Sequence, residues 1–289
     1  MLPDNNRFEK IKSALEYLFH FGVILDVRNE DAGYKIILKP EDLKLDEGFE
    51  VSVLIGWKRL MIEFLPGKKA GLLLLEMGKA STDNKCVFAA VAESVIDKKG
   101  SVILTINGSS IEPGKPDDWP ETWRNLKITL TSPVIDPDGD LSENNNLIDL
   151  IKEWSVIFFS MFTPLLPLKE INSVSESNNG TEQVGLAEGA LTRITANRYE
   201  RSQINRQACI AIHGTHCAVC GFNFGKQYGK YGEGFIEVHH IIPVSDLGDG
   251  YRINPVKDLI PVCPNCHAML HRRTPPYSIE ELKLLINNS

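Results

Sequence analysis

The chain has 289 residues, more than one typical domain needs, so two domains are expected. Hydrophobic residues make up 43% of the sequence and charged residues 24%, so each domain should have an ordinary hydrophobic core. The formal net charge of −7 argues against a protein that binds nucleic acid over its whole surface. However, residues 1–170 carry 20 basic and 27 acidic residues, whereas residues 171–289 carry 11 of each. The C-terminal part can therefore still present a local basic face.

The chain lacks the patterns of secreted and membrane proteins. It begins MLPDNN, with no basic start followed by an apolar run, so no signal peptide is expected. The most apolar segment, Trp154 to Leu168, is shorter than a bilayer span and contains two prolines. We therefore expect a soluble cytoplasmic protein that does not bind membranes, whose six cysteines are not paired in disulfides.

Residues 1–171 have the pattern of a mixed α+β domain. Apolar residues recur at helical spacing over 7–21 and 147–162, and residues 88–96 could form a third helix. Six short apolar runs with β character are punctuated by Pro, Gly, Asp and Asn; they cover residues 23–27, 34–38, 49–55, 60–65, 102–106 and 126–130. This pattern predicts about six strands and three helices in one α+β domain.

Residues 172–188 are polar and lack an apolar period, so they are predicted to be a linker between domains 1–171 and 189–289. The second domain begins with a helical pattern over residues 190–212. Four arginines lie within fourteen residues of this helix: Arg193, Arg198, Arg201 and Arg206. They could contact phosphate or form a solvated helix face, and both interpretations remain open.

Two groups of aromatic residues allow either a structural role or stacking on bases. Trp57, Phe64, Trp119 and Trp123 are more consistent with core packing or turns than with base stacking. Between residues 221 and 234, four aromatic residues alternate with two lysines. They could lie along a nucleic-acid groove or cover the back of a small metal-binding domain, and we slightly favour the second interpretation.

Four cysteines form two Cys-x-x-Cys pairs, Cys217 with Cys220 and Cys263 with Cys266. In each pair a short turn lets both thiolates face one ion. Two such pairs form the closed tetrahedral site that structural zinc prefers. We therefore predict a structural Zn²⁺ site at these four residues.

Four of the seven histidines lie close to the second cysteine pair. They need a separate role, because four thiolates already complete the zinc site. His267 and His271 are four residues apart, which places both rings on one face of a helix. His239 and His240 are adjacent, and in a strand they point to opposite sides. The economical arrangement is an ion held by His239, His267 and His271, with His240 free to take a proton from water.

The order Cys-x-x-Cys, His-His-Ile-Ile-Pro, Asp-Leu-Ile-Pro-Val-Cys-Pro-Asn-Cys-His and Met-Leu-His resembles the HNH (ββα-metal) endonuclease family. The resemblance covers about residues 190–289. It implies that His239, His267 and His271 bind the catalytic metal and that His240 is the general base. The all-histidine ligand set is similar to that of colicin nuclease domains. The cysteine scaffold resembles that of McrA-type, modification-dependent restriction endonucleases.

One position departs from the family pattern. The family usually has an asparagine five residues before the third cysteine, and this sequence has Asp258 there. Asp258 could accept a hydrogen bond from the His240 ring or pin the loop. Asn254 lies close by and could take part of this role. Arg272 and Arg273 follow the last histidine, and together with Arg198 and Arg201 they are candidates for phosphate contact.

The resemblance implies metal-dependent hydrolysis of DNA with a catalytic Mn²⁺, Ni²⁺, Co²⁺, Mg²⁺ or Zn²⁺, and imidazole ligands disfavour Mg²⁺. The first hypothesis is a type IV restriction enzyme for antiviral defence, with residues 1–171 recognising modified double-stranded DNA. The alternatives are an effector nuclease whose N-terminal domain senses a protein or small molecule, and a non-catalytic zinc DNA-binding module. Cutting both strands with one site per chain also makes a homodimer plausible.

Overall fold

The computed structural model describes residues 8–30, 33–44, 46–56, 58–134, 145–167, 169–170, 195–196, 201–242, 251–273 and 275–287. Seven strands form one antiparallel sheet: β1 (Val23–Glu30), β2 (Gly33–Pro40), β3 (Phe49–Ile55), β4 (Leu60–Pro66), β5 (Ser101–Ile106), β6 (Ser109–Ile111) and β7 (Leu126–Thr131). Their spatial order is β1-β2-β3-β4-β7-β5-β6. The register pairs Val51 with Phe64 and Val53 with Ile62. All four side chains are buried, so this face of the sheet forms one wall of the core.

Four helices accompany the sheet: α1 (Glu9–Phe19), α2 (Gly71–Gly78), α3 (Thr82–Asp97) and α4 (Asn145–Phe162). Helix α4 packs against α1 and α3 and also touches β4. The ring of Phe162 lies 5.3 Å from that of Phe49 and 5.2 Å from that of Phe64, measured between centroids. The core of the N-terminal part therefore lies between the sheet and α4.

The rest of the chain is built from small elements. Strands β8 (Lys169–Glu170) and β9 (Thr195–Ala196) pair in parallel, and helices α5 (Arg201–His213) and α6 (Phe224–Tyr228) follow. Strands β10 (Glu237–His240) and β11 (Leu259–Val262) then form an antiparallel pair. Helices α7 (Pro264–Leu270) and α8 (Ile279–Asn287) complete the described chain. The order β10, β11, α7 is the ββα unit that the sequence predicts.

Helix α5 connects the two parts. On one side it packs against α4 and α3, and the buried Gln207 amide donates a hydrogen bond to the carbonyl oxygen of Leu18 in α1. On the other side it packs against β11, and Arg206 Nη2 donates to the carbonyl oxygen of Ile236, 2.7 Å away. The ββα unit is therefore held directly against the N-terminal part.

The α+β fold class is confirmed, and all six predicted strands are present. The sequence analysis missed two elements of the N-terminal part. Helix α2 is a continuous apolar run without helical spacing, and β6 is three residues long and begins with two serines. The predicted helix 190–212 is present as α5 from Arg201 onward, but residues 195–196 form β9 instead, and residues 190–194 and 197–200 lie outside the described residues. The proposed linker 172–188 lies outside the described residues, so the domain boundaries stay a prediction.

Phe64, Trp119 and Trp123 are buried, which agrees with the core interpretation, whereas Trp57 lies outside the described residues. The four aromatic residues between residues 221 and 234 do not share one environment. Phe222 and Phe224 pack against the core, but Tyr228 and Tyr231 are exposed. None of the helices within the described ranges is both long and apolar enough to cross a bilayer.

Candidate metal centres and active site

The sulfur atoms of Cys217, Cys220, Cys263 and Cys266 all lie within 4.8 Å of one another. The Cys220 and Cys263 sulfurs are 3.8 Å apart. Four sulfurs around an ion at about 2.3 Å would be separated by about 3.8 Å, the edge of the corresponding tetrahedron. The spacing therefore fits one tetrahedrally bound ion.

Two tight turns bring these sulfurs together. In the first, Gly221 N–H donates to Cys217 O over 2.8 Å, and Gly221 has a φ of +74°, which favours glycine. In the second, Cys263 caps the start of α7, and its sulfur accepts a hydrogen bond from Cys266 N–H at 3.4 Å. A hydrogen bond of 2.9 Å from Ala218 N–H to Pro261 O joins the first turn to β11, so the strand pair holds the two turns in register.

The pKa values of Cys217, Cys263 and Cys266 are shifted in different directions. Burial disfavours the thiolate and raises the pKa of Cys263 and Cys266. At Cys217 burial acts in the same direction, but hydrogen bonds with the backbone of Cys220, Cys263 and Val219 outweigh it and bring its pKa to about 7. Since metals bind the thiolate form, loading this cluster is accompanied by the release of protons.

The second cluster consists of His239, His267 and His271, each of which offers a ring nitrogen within 4.8 Å of the others. The ring centroids are 5.0 to 5.3 Å apart, and each pair of rings is steeply inclined. His239 is buried, whereas His271 is exposed. The cluster opens into a cavity of about 400 Å³, which His240 also lines. The three predicted ligands and the predicted base thus share one cavity.

The surroundings of His239 are those expected of a metal ligand. Its Nδ1 atom is buried and has no hydrogen-bond partner among the described residues, which is a costly state for a ring nitrogen. Burial, followed by the neighbouring His267, His271 and His240, lowers the pKa of His239 to about 4. The ring is therefore neutral at physiological pH, the form that binds metals. Both observations fit an ion at this cluster.

The low pKa of His239 predicts an acid-sensitive stability. In the unfolded chain this ring takes up a proton near pH 6.5, but in the folded protein only near pH 4. Since the unfolded state binds the extra proton, His239 leaves stability unchanged above about pH 6.5 and reduces it as the pH falls toward about 4. His239→Gln should therefore lose less stability than the wild type between about pH 7.5 and pH 5.5. Urea unfolding of protein loaded with one equivalent of zinc would measure this.

Exposed His216 provides a matched control for this experiment. His216→Gln should lose as much stability on acidification as the wild type does. Equal losses in all three proteins would show that His239 binds its proton as readily in the folded state as in the unfolded chain, contrary to the lowered pKa given above.

Glu237 is a site residue that the sequence analysis missed. Its Oε2 atom lies 2.6 Å from His267 Nδ1, so the carboxylate accepts the Nδ1 hydrogen and leaves Nε2 for an ion. Glu237 precedes His239 by two positions in β10, and strand alternation places both on one side. That spacing was the available signal, but only the fold shows that α7 brings His267 to the same side.

Glu237→Gln is expected to weaken metal binding at the histidine cluster by about 10- to 100-fold, because the amide orients His267 less firmly and makes it less basic. Titration calorimetry with Mn²⁺ on zinc-loaded protein measures this affinity. Exposed Glu233 is the control, and Glu233→Gln should bind like the wild type. An unchanged affinity in Glu237→Gln would show that the contact with His267 is incidental to metal binding.

The loop before β11 is fastened by Asp258 and Asn254. Asp258 Oδ2 accepts hydrogen bonds from Tyr251 Oη and from Asn254 N–H, both at 2.8 Å. Asn254 Oδ1 in turn accepts from the backbone N–H of Val256 and of Lys257. Through these contacts Asp258 holds the loop in place, which is one of the two roles that the sequence left open for it. A role for either side chain in orienting His240 stays a prediction.

The arginines proposed to touch phosphate lie in different surroundings. Arg273 pairs with Glu281, with Nη2 2.8 Å from Oε2, whereas Arg272, which follows His271 in the chain, is exposed. Arg206 donates a hydrogen bond to the carbonyl oxygen of Ile236. Arg193 and Arg198 lie outside the described residues, as does the side chain of Arg201. Phosphate contact by these arginines stays a prediction.

A family comparison covers both clusters. Residues 217–273 match the family model of the HNH endonuclease. The match contains all four cysteines, the three clustered histidines and His240. These residues form an HNH endonuclease domain. The comparisons with curated proteins and with solved structures each found no match. An HNH domain implies DNA as the substrate, and each of its two clusters could bind a metal ion.

Proposed function

We propose that the protein is a metal-dependent DNA endonuclease whose active site is the histidine cavity of the HNH domain. The observation that carries the proposal is the convergence of three ligand-type histidines and a fourth, His240, on one cavity. A structural site does not need an additional histidine or an open side. The cysteine cluster, which is closed and lies apart, is proposed to hold structural Zn²⁺.

His240 is proposed to take a proton from a water molecule as that water attacks phosphorus. The new phosphorus–oxygen bond forms while the bond to the leaving oxygen breaks. His239, His267 and His271 would hold a divalent ion, which would supply electrostatic stabilisation of the phosphate and of the leaving oxygen. Imidazole ligands favour Zn²⁺, Ni²⁺, Co²⁺ or Mn²⁺ over Mg²⁺. Glu237 keeps the His267 ring in place, and Asp258 keeps the adjacent loop in place.

The finer proposal is a type IV restriction enzyme of the cytoplasm, similar to McrA-type endonucleases, that cuts modified double-stranded DNA in antiviral defence. The HNH contacts with the phosphate backbone carry no sequence information, so selectivity has to come from elsewhere in the chain. The direct packing of α5 between the N-terminal part and the ββα unit supports a role of the N-terminal part in this selection. Cutting both strands would involve a homodimer.

A second candidate is an effector nuclease that its N-terminal part restrains until a protein or small molecule releases it. Two ion pairs favour this alternative. Asp83 Oδ1 lies 3.5 Å from Arg252 Nε, and Glu93 Oε2 lies 3.1 Å from Lys257 Nζ. Helix α3 thereby neutralises two cations of the segment between β10 and β11.

A digestion panel separates the two candidates. Purified protein with Mn²⁺ is incubated with unmodified DNA and with DNA that carries 5-methylcytosine, 5-hydroxymethylcytosine or phosphorothioate linkages. A restriction enzyme should cut only some modified substrates. A restrained effector should leave all substrates intact, and the double variant Asp83→Lys, Glu93→Lys should then cut without a trigger. If neither protein cuts any substrate, the nuclease proposal fails.

A further inference from the structure

A cavity of about 730 Å³ lies between α3, α5 and β10. Residues 251–253 close one side of it. His240 and His267 line both this cavity and the histidine cavity, so the two spaces adjoin across these side chains. A molecule in the larger cavity would therefore lie next to the proposed site of phosphodiester hydrolysis. Its volume is within the range of natural small-molecule sites.

Most of the cavity surface is apolar, and three of the polar side chains that line it are amides. The amide side chains come from α3 and α5: Asn84, Gln203 and Asn205. Gln203 Oε1 is buried and has no hydrogen-bond partner within the described part of the chain. Rotation of the Gln203 side chain toward the cavity would let this oxygen accept a hydrogen bond from a ligand and relieve the cost of its missing partner. Asn84 is fixed in place, because its Nδ2 donates to Pro164 O at 2.7 Å.

The charged groups of the cavity already have partners. Arg252 pairs with Asp83, Glu237 is bonded to His267, and Arg206 donates to a backbone carbonyl. A phosphate or another anion would find no cation without a partner among these groups. The cavity instead suits an uncharged, flat ligand with apolar faces and a polar edge. A nucleobase has this chemistry, since amide side chains pair with its edge and apolar walls contact its faces.

We propose that this cavity binds one nucleobase, rotated out of the duplex, beside the phosphodiester that the HNH domain cuts. The proposal rests on the DNA endonuclease function proposed above. It adds that α3, an element of the N-terminal part, contacts the same nucleotide that is cut. A group added to that base would meet residues of both parts of the chain, so recognition and cleavage would occur at one position.

The test uses the full-length His240→Ala protein, loaded with zinc, so that DNA can bind without being cut. Short duplexes carry the fluorescent base 2-aminopurine at one position, and a series moves this position through unmodified, 5-methylcytosine and 5-hydroxymethylcytosine sequences. Anisotropy of an end label measures binding, and 2-aminopurine emission measures unstacking. We expect emission to rise severalfold at one position of a bound duplex. Gln203→Leu should abolish the rise and weaken binding by about 5- to 10-fold, the effect of one lost hydrogen bond.

Two further variants support the interpretation. Cys86→Phe fills the cavity from α3 without substituting any residue of the HNH domain, and it should also abolish the rise in emission. Gln227→Leu alters an exposed amide on α6 and should change nothing. Binding without any rise in emission would overturn the base-binding proposal alone. A rise that survives both Gln203→Leu and Cys86→Phe would place the base elsewhere and overturn it too. If no duplex binds, the endonuclease function itself fails, and this proposal fails with it.

Discussion

Replacing His240 by alanine is expected to reduce the rate of DNA cleavage by about 10²- to 10⁴-fold, the usual contribution of a general base. His240 lines the same cavity as the histidine cluster but is not one of its three clustered ligands. The substitution should therefore leave the metal content and the thermal stability unchanged. Single-turnover cleavage of a substrate that the digestion panel identifies would measure the rate.

The exposed His216 provides the control for this substitution, and His216→Ala should cut at the wild-type rate. A His240→Ala protein with normal activity would remove His240 from the mechanism. If the wild type cuts no DNA but binds it as tightly as His240→Ala does, the HNH domain serves as a non-catalytic binding module instead.

Removing one residue of the four-cysteine cluster should affect the stability of the folded state more than the chemical step of DNA cleavage. Cys266→Ala leaves three thiolates and opens the tetrahedral site. Structural zinc in small domains provides about 10–16 kcal/mol of apparent binding free energy, which stabilises the folded state directly. We therefore expect the variant to lose its zinc, and the chain around the two cysteine turns to become sensitive to protease. Zinc analysis and limited proteolysis followed by mass spectrometry would show both effects.

Cys86 is the matched control, since it lies in α3 outside the cysteine cluster. Cys86→Ser should keep its zinc and resist protease like the wild type. The structural role assigned to the cysteine cluster would be wrong if Cys266→Ala kept a folded ββα unit after losing its ion.

Patterns that depend on near neighbours could be read from the sequence. Both Cys-x-x-Cys turns are local, and so is the spacing of His267 and His271, which α7 places one turn apart. Strand alternation separates His239 from His240 in the same way. Six of the seven strands of the sheet were predicted because their apolar runs are short and bounded by turn residues. These signals depend on a few consecutive residues and need no knowledge of the whole fold.

Features that depend on distant contacts could not be predicted. Glu237 becomes a site residue only because α7 carries His267 to it across thirty residues. The sequence left two roles open for Asp258, accepting a hydrogen bond from His240 or fixing the loop. Only the fold shows that Tyr251 and Asn254 are its partners. The cavity between α3 and α5 depends on contacts between the two parts of the chain, and no sequence spacing encodes these.

The chain is expected to bind two ions, one at the cysteine cluster and one at the histidine cluster. Titration of the metal-free protein with Co²⁺ distinguishes the two sites, because cobalt–thiolate bonds give a strong absorption band that cobalt–imidazole bonds lack. We predict that one equivalent of Co²⁺ produces the thiolate band, and that a second binds without increasing it. His271→Ala should bind only the first. Saturation of the wild type after a single equivalent would contradict the account, because no second ion would remain for catalysis.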